Sequence, residues 1–127
     1  MKVEHIGIAV ENLDAAVEYY KKVFPEAEYT EEVMPDQRIM IIKGDNVKIE
    51  LLESLQEDSA IGKFIAKNGP GMHHIAFEVE DAKAQMAKVQ ELGLRTLSQE
   101  PYAGAENHMV FFLHPKDTFK VLTEFCQ

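Results

Sequence analysis

Two histidines and two glutamates occur in the same order in the two halves of this 127-residue chain. His5 begins the phrase His-Ile-Gly-Ile-Ala-Val, and His74 begins the similar phrase His-Ile-Ala-Phe-Glu-Val. Each phrase is followed, near the end of its half, by a glutamate inside an apolar run: Glu50 in the first half and Glu124 in the second. Imidazole nitrogens and carboxylate oxygens are ligands that proteins use for divalent metals. If the halves pack around a shared cleft, these four side chains meet there and bind one metal ion.

Each of these residues also has an interpretation without a metal. A single histidine on an apolar strand is more often a hydrogen-bonded core residue than a ligand. Glu50 and Glu124 are harder to explain in this way, because an unpaired carboxylate is costly to bury, although an edge strand open to water would also accommodate them. The repeated order of both residue types favours the metal site.

The elements that position these residues also repeat. Apolar and polar residues alternate over 2–10, which predicts a strand on which His5 shares its face with the small residues Gly7 and Ala9 and so leaves space for a ligand. A helix capped by Asn12 or Asp14 and stopped by Pro25 follows. The remaining predicted elements are strands at about 27–33, 38–43 and 46–53, a helix opened by Ser59, a strand at 72–79, a helix from Asp81 to about Gly93, and strands near 94–98, 108–113 and 119–126.

Both halves therefore read β-α-β-β-β, which predicts an α+β fold. We expect one domain over 1–127, with module 1 at about 1–56, a linker helix at about 59–68 and module 2 at about 71–127.

Composition excludes several classes of function. The net charge of −9 argues against nucleic acid as a partner, because there is no basic excess to displace phosphate counterions. No apolar run is long enough to span a bilayer, so we expect no membrane association. Cys126 is the only cysteine, which excludes an internal disulfide. The strand pattern starts too early for a signal peptide, and we expect a cytoplasmic protein.

Three further histidines have no counterpart in the repeat. His73 would point to the face of its strand opposite to His74, and we interpret it as structural. His108 has no assigned role. His114, in the turn Leu113-His-Pro-Lys116, is equally consistent with a turn histidine and with a contact to an anionic substrate.

With these residues in place, the chain resembles the vicinal oxygen chelate (glyoxalase-fold) superfamily, and within it the methylmalonyl-CoA epimerases, along nearly its whole length. The resemblance lies in the two histidine phrases, in Lys48-Ile-Glu50-Leu-Leu-Glu, in the helix Ile61-Gly-Lys-Phe-Ile-Ala-Lys, in Phe112-Leu-His-Pro-Lys116 and in Val121-Leu-Thr-Glu124. The helix that begins at Ile61 and the His-Pro-Lys turn are the parts more particular to the epimerases.

The resemblance implies two tandem βαβββ modules that form a curved mixed sheet around a metal cleft, usually in a homodimer. It maps the metal ligands onto His5, Glu50, His74 and Glu124. The reaction would interconvert (2R)- and (2S)-methylmalonyl-CoA by removing the proton from C2 and returning it on the opposite face. A divalent metal, with Co²⁺ expected first and Mn²⁺, Ni²⁺ or Zn²⁺ as alternatives, would stabilise the enolate.

The resemblance leaves the proton-transfer groups open. Inversion at carbon by proton transfer needs a group on each face, and Glu50 and Glu124 are the expected catalytic residues. Some family members carry a further glutamate on the third strand of module 1, where this chain has Gln37-Arg-Ile-Met-Ile-Ile42. The stretch Asp117-Thr-Phe-Lys120, where relatives often have small residues, is a second departure.

Coenzyme A carries phosphates, so substrate-binding residues should include cations. The expected substrate-binding residues are His114, Lys116, Lys120 and Arg38. Two alternatives remain open within the same fold, a glyoxalase I-type lactoylglutathione lyase and a metal-free ligand-binding or resistance protein. An extradiol dioxygenase uses two histidines and one glutamate around Fe²⁺, and a fourth protein ligand, Glu50, counts against it because it would occupy a position needed for substrate or oxygen.

Overall fold

A computed structural model describes all residues, 1–127, with eight strands and three α-helices. The first half contains β1 (Val3–Ala9), α1 (Leu13–Val23), β2 (Glu28–Val33), β3 (Gln37–Lys43) and β4 (Lys48–Ser54). Helix α2 (Ala60–Asn68) follows. The second half contains β5 (Gly71–Glu78), α3 (Ala82–Glu91), β6 (Tyr102–Ala103), β7 (Met109–Leu113) and β8 (Thr123–Cys126). The predicted β-α-β-β-β order is thus confirmed in each half.

Contacts divide the chain into two compact units, His5–His73 and Met1–Glu4 with His74–Gln127. In the first, the strand order is β2-β3-β4-β1, and in the second the order is β6-β7-β8-β5. The pairs β1–β4 and β5–β8 are parallel, and the remaining pairs within each unit are antiparallel. The two units therefore share one topology, with the histidine strand always parallel to the glutamate strand.

Each helix begins at a side chain that caps it. Asn12, Ser59 and Asp81 accept hydrogen bonds from backbone N–H groups of the first turns of α1, α2 and α3. These caps satisfy donors that have no partner within the helix, so the short polar residues define the start points. None of the three helices combines the length and the apolar character that crossing a membrane requires.

The apolar face of each module's sheet is covered by a helix. In the first unit, Leu13 and Val17 of α1 form a buried cluster with Met40, Ile42 and Leu51. In the second unit, the corresponding buried cluster of α3, β7 and adjacent residues comprises Ala82, Met86, Val89, Phe111 and Leu113. Since alternate strand residues point to opposite faces, the histidines and glutamates lie on the other face of each sheet.

The prediction of a strand near 94–98 is wrong. That segment makes only a short contact with β7, through the single bridge Thr96–Leu113. Pairing resumes at Tyr102, which lies opposite Val110. The intervening Ser98–Pro101 segment cannot continue the ladder, because the Thr96 hydroxyl bonds to the Ser98 carbonyl and Pro101 has no N–H to donate.

The last strand also begins later than predicted, at Thr123 rather than at 119. Phe119 and Lys120 have positive φ angles of 55° and 68°, in the left-handed region, so they form a turn instead of extended chain. The turn is closed by hydrogen bonds from the Lys120 N–H to the Pro115 carbonyl and from the Val121 N–H to the Thr118 carbonyl.

Candidate metal centre

The first unit brings His5 and Glu50 together. His5 lies on β1 and Glu50 on the neighbouring parallel strand β4, and both side chains are about 95% buried. The His5 Nε2 atom is 3.4 Å from the Glu50 Oε2 atom. A buried carboxylate therefore faces a histidine nitrogen at close range in this half.

The second unit contains the equivalent pair. His74 on β5 and Glu124 on β8 are each 6% exposed, and the His74 Nε2 atom lies 3.0 Å from the Glu124 Oε2 atom. The edge of the Phe112 ring packs against the His74 imidazole with ring centroids 5.6 Å apart, which holds the imidazole plane in place.

The local register explains why the same geometry arises twice. Gly7 lies directly opposite Glu50 in the β1–β4 ladder, and Ala76 lies opposite Glu124 in the β5–β8 ladder. In each module the histidine stands two residues before that small residue and so lies on the same face, diagonal to the glutamate. A glycine or an alanine at this position places no bulky side chain beside the histidine and the glutamate.

The spacing within each pair suits a shared metal ion. Two ligand atoms that each bind one ion at about 2.1 Å are about 3.0 Å apart at a right angle and about 3.4 Å apart at the tetrahedral angle. The observed nitrogen–oxygen distances of 3.0 and 3.4 Å fall at these values. Nitrogen and carboxylate donors that face each other in a buried position are therefore chemically and geometrically suited to a divalent metal.

The residues beside the glutamates are apolar. Ile41 on β3 lies opposite Glu50, and Phe112 on β7 lies opposite Glu124. The strand β3 residues 37–42 bring no further carboxylate next to Glu50, so within their own units Glu50 and Glu124 have no acidic cross-strand neighbour on β3 or β7.

The turn before β8 carries three of the predicted substrate-binding residues. His114 begins it, and its Nδ1 atom accepts a hydrogen bond from the Lys116 backbone N–H at 3.2 Å. Lys116 and Lys120 are exposed. Because the Ile75 N–H donates a hydrogen bond to the Leu122 carbonyl, this turn ends beside His74, at the same end of β8 and β5. The turn that carries the two lysines therefore ends next to the strand of His74.

A clamp fixes this turn. The Arg95 guanidinium binds the Asp117 carboxylate through two hydrogen bonds of 3.0 and 2.7 Å, and the Arg95 backbone N–H donates a third at 2.9 Å. Hydrogen bonds from the Arg95 side chain and backbone hold the pKa of the Asp117 carboxyl well below its usual range. Asp117 therefore has a positional role in a segment that the sequence singled out only as a departure from relatives.

Arg38, the fourth predicted substrate-binding residue, is already engaged. Its guanidinium lies 3.0 Å from both Asp14 and Glu31 and 3.5 Å from Glu53. The hydrogen bonds that the Arg38 guanidinium donates to Asp14 and Glu31 raise the pKa of Arg38 above its usual value. Since three carboxylates surround this cation, we leave it out of the proposed phosphate contacts.

The two remaining histidines lie in structural surroundings. The edge of the His73 imidazole packs against the Phe64 ring of α2, with centroids 4.8 Å apart. The His108 Nδ1 atom is 2.9 Å from the Gln127 carbonyl oxygen, and its Nε2 atom lies 3.9 Å from Glu4 and 3.8 Å from Glu106. His108 thus ties the start of β7 to the end of the chain.

One residue near the site has no prediction from the sequence. Tyr102 of β6 lies close enough to Glu124 for the carboxylate charge to act on its phenol. Burial, and secondly that negative charge, raise the pKa of Tyr102. The available signal was the aromatic residue after Pro101, but its position depends on the interrupted pairing along β7.

Known proteins share the topology described above. Residues 4–112 match the family model of the Glyoxalase/Bleomycin resistance protein/Dioxygenase superfamily. Because this match covers most of the chain, the protein belongs to that superfamily, and the predicted glyoxalase fold class is confirmed.

The similar proteins within the superfamily are epimerases. The chain is 40% identical to an ethylmalonyl-CoA/methylmalonyl-CoA epimerase of Cereibacter sphaeroides, over 99% of this chain and 97% of the relative. It is 38% identical to the mitochondrial methylmalonyl-CoA epimerase of Homo sapiens, over 99% of this chain and 73% of the relative. A solved structure of a Streptomyces coelicolor methylmalonyl-CoA epimerase variant in complex with 2-nitronate-propionyl-CoA superposes with a TM-score of 0.94 at 40% identity, covering 99% of this chain and 93% of that one. These likenesses confirm the predicted resemblance to the epimerases.

Proposed function

We propose that this protein is a methylmalonyl-CoA epimerase that interconverts the 2R and 2S forms by proton transfer at C2. The observation that carries the proposal is the pair of equivalent buried His–Glu contacts, His5–Glu50 and His74–Glu124. The identity to epimerases over nearly the whole chain supports the substrate class.

The two pairs would together hold one divalent metal ion per chain, with His5, Glu50, His74 and Glu124 as ligands. A single pair offers two protein ligands, fewer than the three or four that a protein-bound catalytic metal generally has. A metal bound there would polarise the substrate thioester and stabilise the negative charge that develops when C2 loses its proton. We expect Co²⁺ first, with Mn²⁺, Ni²⁺ or Zn²⁺ as alternatives, because the ligand set does not discriminate among them.

Glu50 and Glu124 would also move the proton. Epimerisation requires removal of the C2 proton on one face of the carbon and return of a proton on the other. One glutamate comes from each module, so each carboxylate could serve one face. The apolar neighbours Ile41 and Phe112 would keep water from the carboxylates and so strengthen their interaction with the reacting carbon.

Lys116 and Lys120 would contact the anionic groups of the coenzyme A part. They are exposed on the turn that ends beside His74, and the Arg95–Asp117 clamp orders that turn. His114 stabilises the same turn through the Lys116 N–H, so we assign it a supporting position beside the substrate.

We also propose how the protein assembles and in which compartment it works. We propose a homodimer, as the resemblance implies, and a reducing compartment such as the cytoplasm, which is compatible with a chain whose single cysteine, Cys126, cannot form an internal disulfide. Sedimentation equilibrium would test the dimer.

The deciding experiment is proton exchange in D₂O. Purified protein given one epimer of methylmalonyl-CoA should incorporate deuterium at C2 and form the other epimer, and a chelator should abolish both. Turnover of the methylglyoxal–glutathione adduct without exchange of methylmalonyl-CoA would indicate a lactoylglutathione lyase. Absence of both reactions in protein loaded with each of the four metals would contradict the proposed enzyme class.

A further inference from the structure

Tyr102 lies on the same face of the second unit's sheet as the metal ligands. In the antiparallel β6–β7 ladder it is opposite Val110, and Val110 is opposite Cys126. Glu124 stands two residues before Cys126 and so projects from that face. The Tyr102 side chain therefore lies on the same face of the sheet as Glu124 and not on the face that helix α3 covers.

The surroundings of Tyr102 make its hydroxyl chemically distinctive. Ala76, Val110 and Cys126 form a buried apolar patch next to it. Among the strand residues on this face, Tyr102 carries the only hydroxyl. About half of the residue remains exposed, so the phenol is accessible to a bound molecule, while Glu124 is near enough to act on it electrostatically.

We propose that the Tyr102 phenol contacts the substrate beside Glu124 and donates a hydrogen bond to the carboxylate of the 2-substituted malonyl group. This inference rests on the proposed function. A malonyl carboxylate has two oxygens, and a metal that chelates one of them together with the thioester oxygen leaves the other in need of a donor. On this face the phenol is suited to that role, because Glu124 can only accept while it is ionised.

The contact would make Tyr102 a specificity-determining residue. An acyl-CoA without the malonyl carboxylate offers no acceptor to the phenol, so it gains nothing from the hydroxyl. A hydrogen bond to a charged oxygen contributes more to discrimination than an apolar contact of the same size, because the unmatched partner is left unpaired.

The test is Tyr102→Phe, which removes the hydroxyl and keeps the ring. We expect kcat/KM for methylmalonyl-CoA epimerisation to fall roughly 10- to 100-fold, mainly through KM. Binding of 2-nitronate-propionyl-CoA, whose nitronate replaces the carboxylate, should weaken to a similar extent. Binding of propionyl-CoA, which lacks the carboxylate, should be unchanged. Tyr19→Phe is the matched control, because Tyr19 is an exposed tyrosine on α1 and its variant should behave as the wild type.

Each outcome decides the inference. An equal loss of affinity for both analogues would indicate that Tyr102 has a merely structural role. No loss of affinity for either analogue would indicate that the phenol does not contact the substrate. Either result would overturn the inference. If wild-type protein fails to exchange the C2 proton, the proposed function fails instead. In that case, weaker binding of 2-nitronate-propionyl-CoA alone by the Tyr102→Phe variant would still support the contact, and unchanged binding would overturn it.

Discussion

The roles proposed for Glu50 and Glu124 combine two demands that ordinarily conflict, because a buried carboxylate needs compensation and a catalytic base needs freedom to react. Each faces a histidine nitrogen at 3.4 or 3.0 Å and lies beside an apolar residue. A shared ion would supply the compensation. The roles of ligand and base can therefore be separated only by variants that keep the shape of the side chain.

We predict that Glu50→Gln and Glu124→Gln each retain bound metal but lose epimerisation by at least about 100-fold, because an amide cannot accept the C2 proton. Each variant should still exchange the C2 proton of the one epimer that the remaining glutamate serves. Metal content by elemental analysis and deuterium incorporation by NMR would check this.

The control for these variants is Glu91→Gln at the exposed end of α3, which should match the wild type in both measurements. If either glutamate variant loses its metal together with its activity, that carboxylate is required as a ligand, and the loss of activity does not support its assignment as a base.

At the scale of elements, the strands carry the candidate histidines and glutamates, and the turn before β8 carries Lys116 and Lys120. Alternation around His5 and His74, with the small residues that follow, was sufficient to predict both histidine strands and the face that each histidine occupies. The caps Ser59 and Asp81 were likewise readable, because they act on neighbours three residues away, whereas the pattern at α1 left Asn12 and Asp14 as alternatives and the structure shows Asn12. The β6–β7 pairing was not readable, since it depends on where the chain re-enters the ladder after Pro101. Nor does local pattern indicate that Phe119 and Lys120 adopt a conformation that favours glycine.

Helix α2 offers a test of close packing at its first turn. A Cβ atom at Gly62 would lie 2.6 Å from the Glu57 carbonyl oxygen and 2.7 Å from the Gln56 carbonyl oxygen. We predict that Gly62→Ala lowers the free energy of unfolding by about 1–3 kcal/mol, although alanine is the better helix former. Urea unfolding would measure it, with the exposed Lys63→Ala as control. A gain in stability for Gly62→Ala would contradict the packing described.

The Arg95–Asp117 clamp predicts a pH dependence. The pKa of Asp117 is lowered in the folded protein from its usual value of 3.8, so its contribution to stability is fully present above that pH and is lost as the pH falls below it. Asp117→Asn should therefore be less stable than the wild type at pH 7, and the difference should shrink below about pH 3.8. Urea midpoints at pH 7, 5 and 3 would show this. Asp45→Asn, an exposed turn variant, should show no such convergence, and a constant difference for Asp117→Asn would refute the clamp.

At the scale of the whole molecule, an acidic chain is proposed to bind an anionic coenzyme A ester. The net charge of −9 repels the substrate at long range, but salt screens that field beyond about 8–10 Å. In the proposed complex Lys116 and Lys120 would contact the substrate within that distance, where a few cations can outweigh the overall charge of the chain. Composition alone correctly described an acidic globular chain but could not show which cations were free, because Arg38 proved to be held by carboxylates that are distant in the sequence.

Metal binding should raise the stability of the whole chain against unfolding. Co²⁺ at about 100 times its dissociation constant should raise the free energy of unfolding by about 2.7 kcal/mol, because the unfolded chain lacks the assembled site. Differential scanning calorimetry with and without chelator would measure the corresponding rise in Tm. The adjacent histidines provide a matched pair: His74→Ala should abolish the rise, and His73→Ala should keep it. An undiminished rise in His74→Ala would exclude His74 as a ligand.

The register of the glutamate strands has a consequence for how the chain folds. A slip of β4 or β8 by one residue would turn Glu50 or Glu124 from the histidine face to the apolar face that α1 or α3 covers. There the carboxylate would find no imidazole and would pay the full cost of losing water. The same two side chains proposed to hold the metal therefore discriminate against misaligned pairing during folding. A variant with apolar residues at both positions would lose this discrimination against misaligned strands, together with the proposed metal binding and proton transfer.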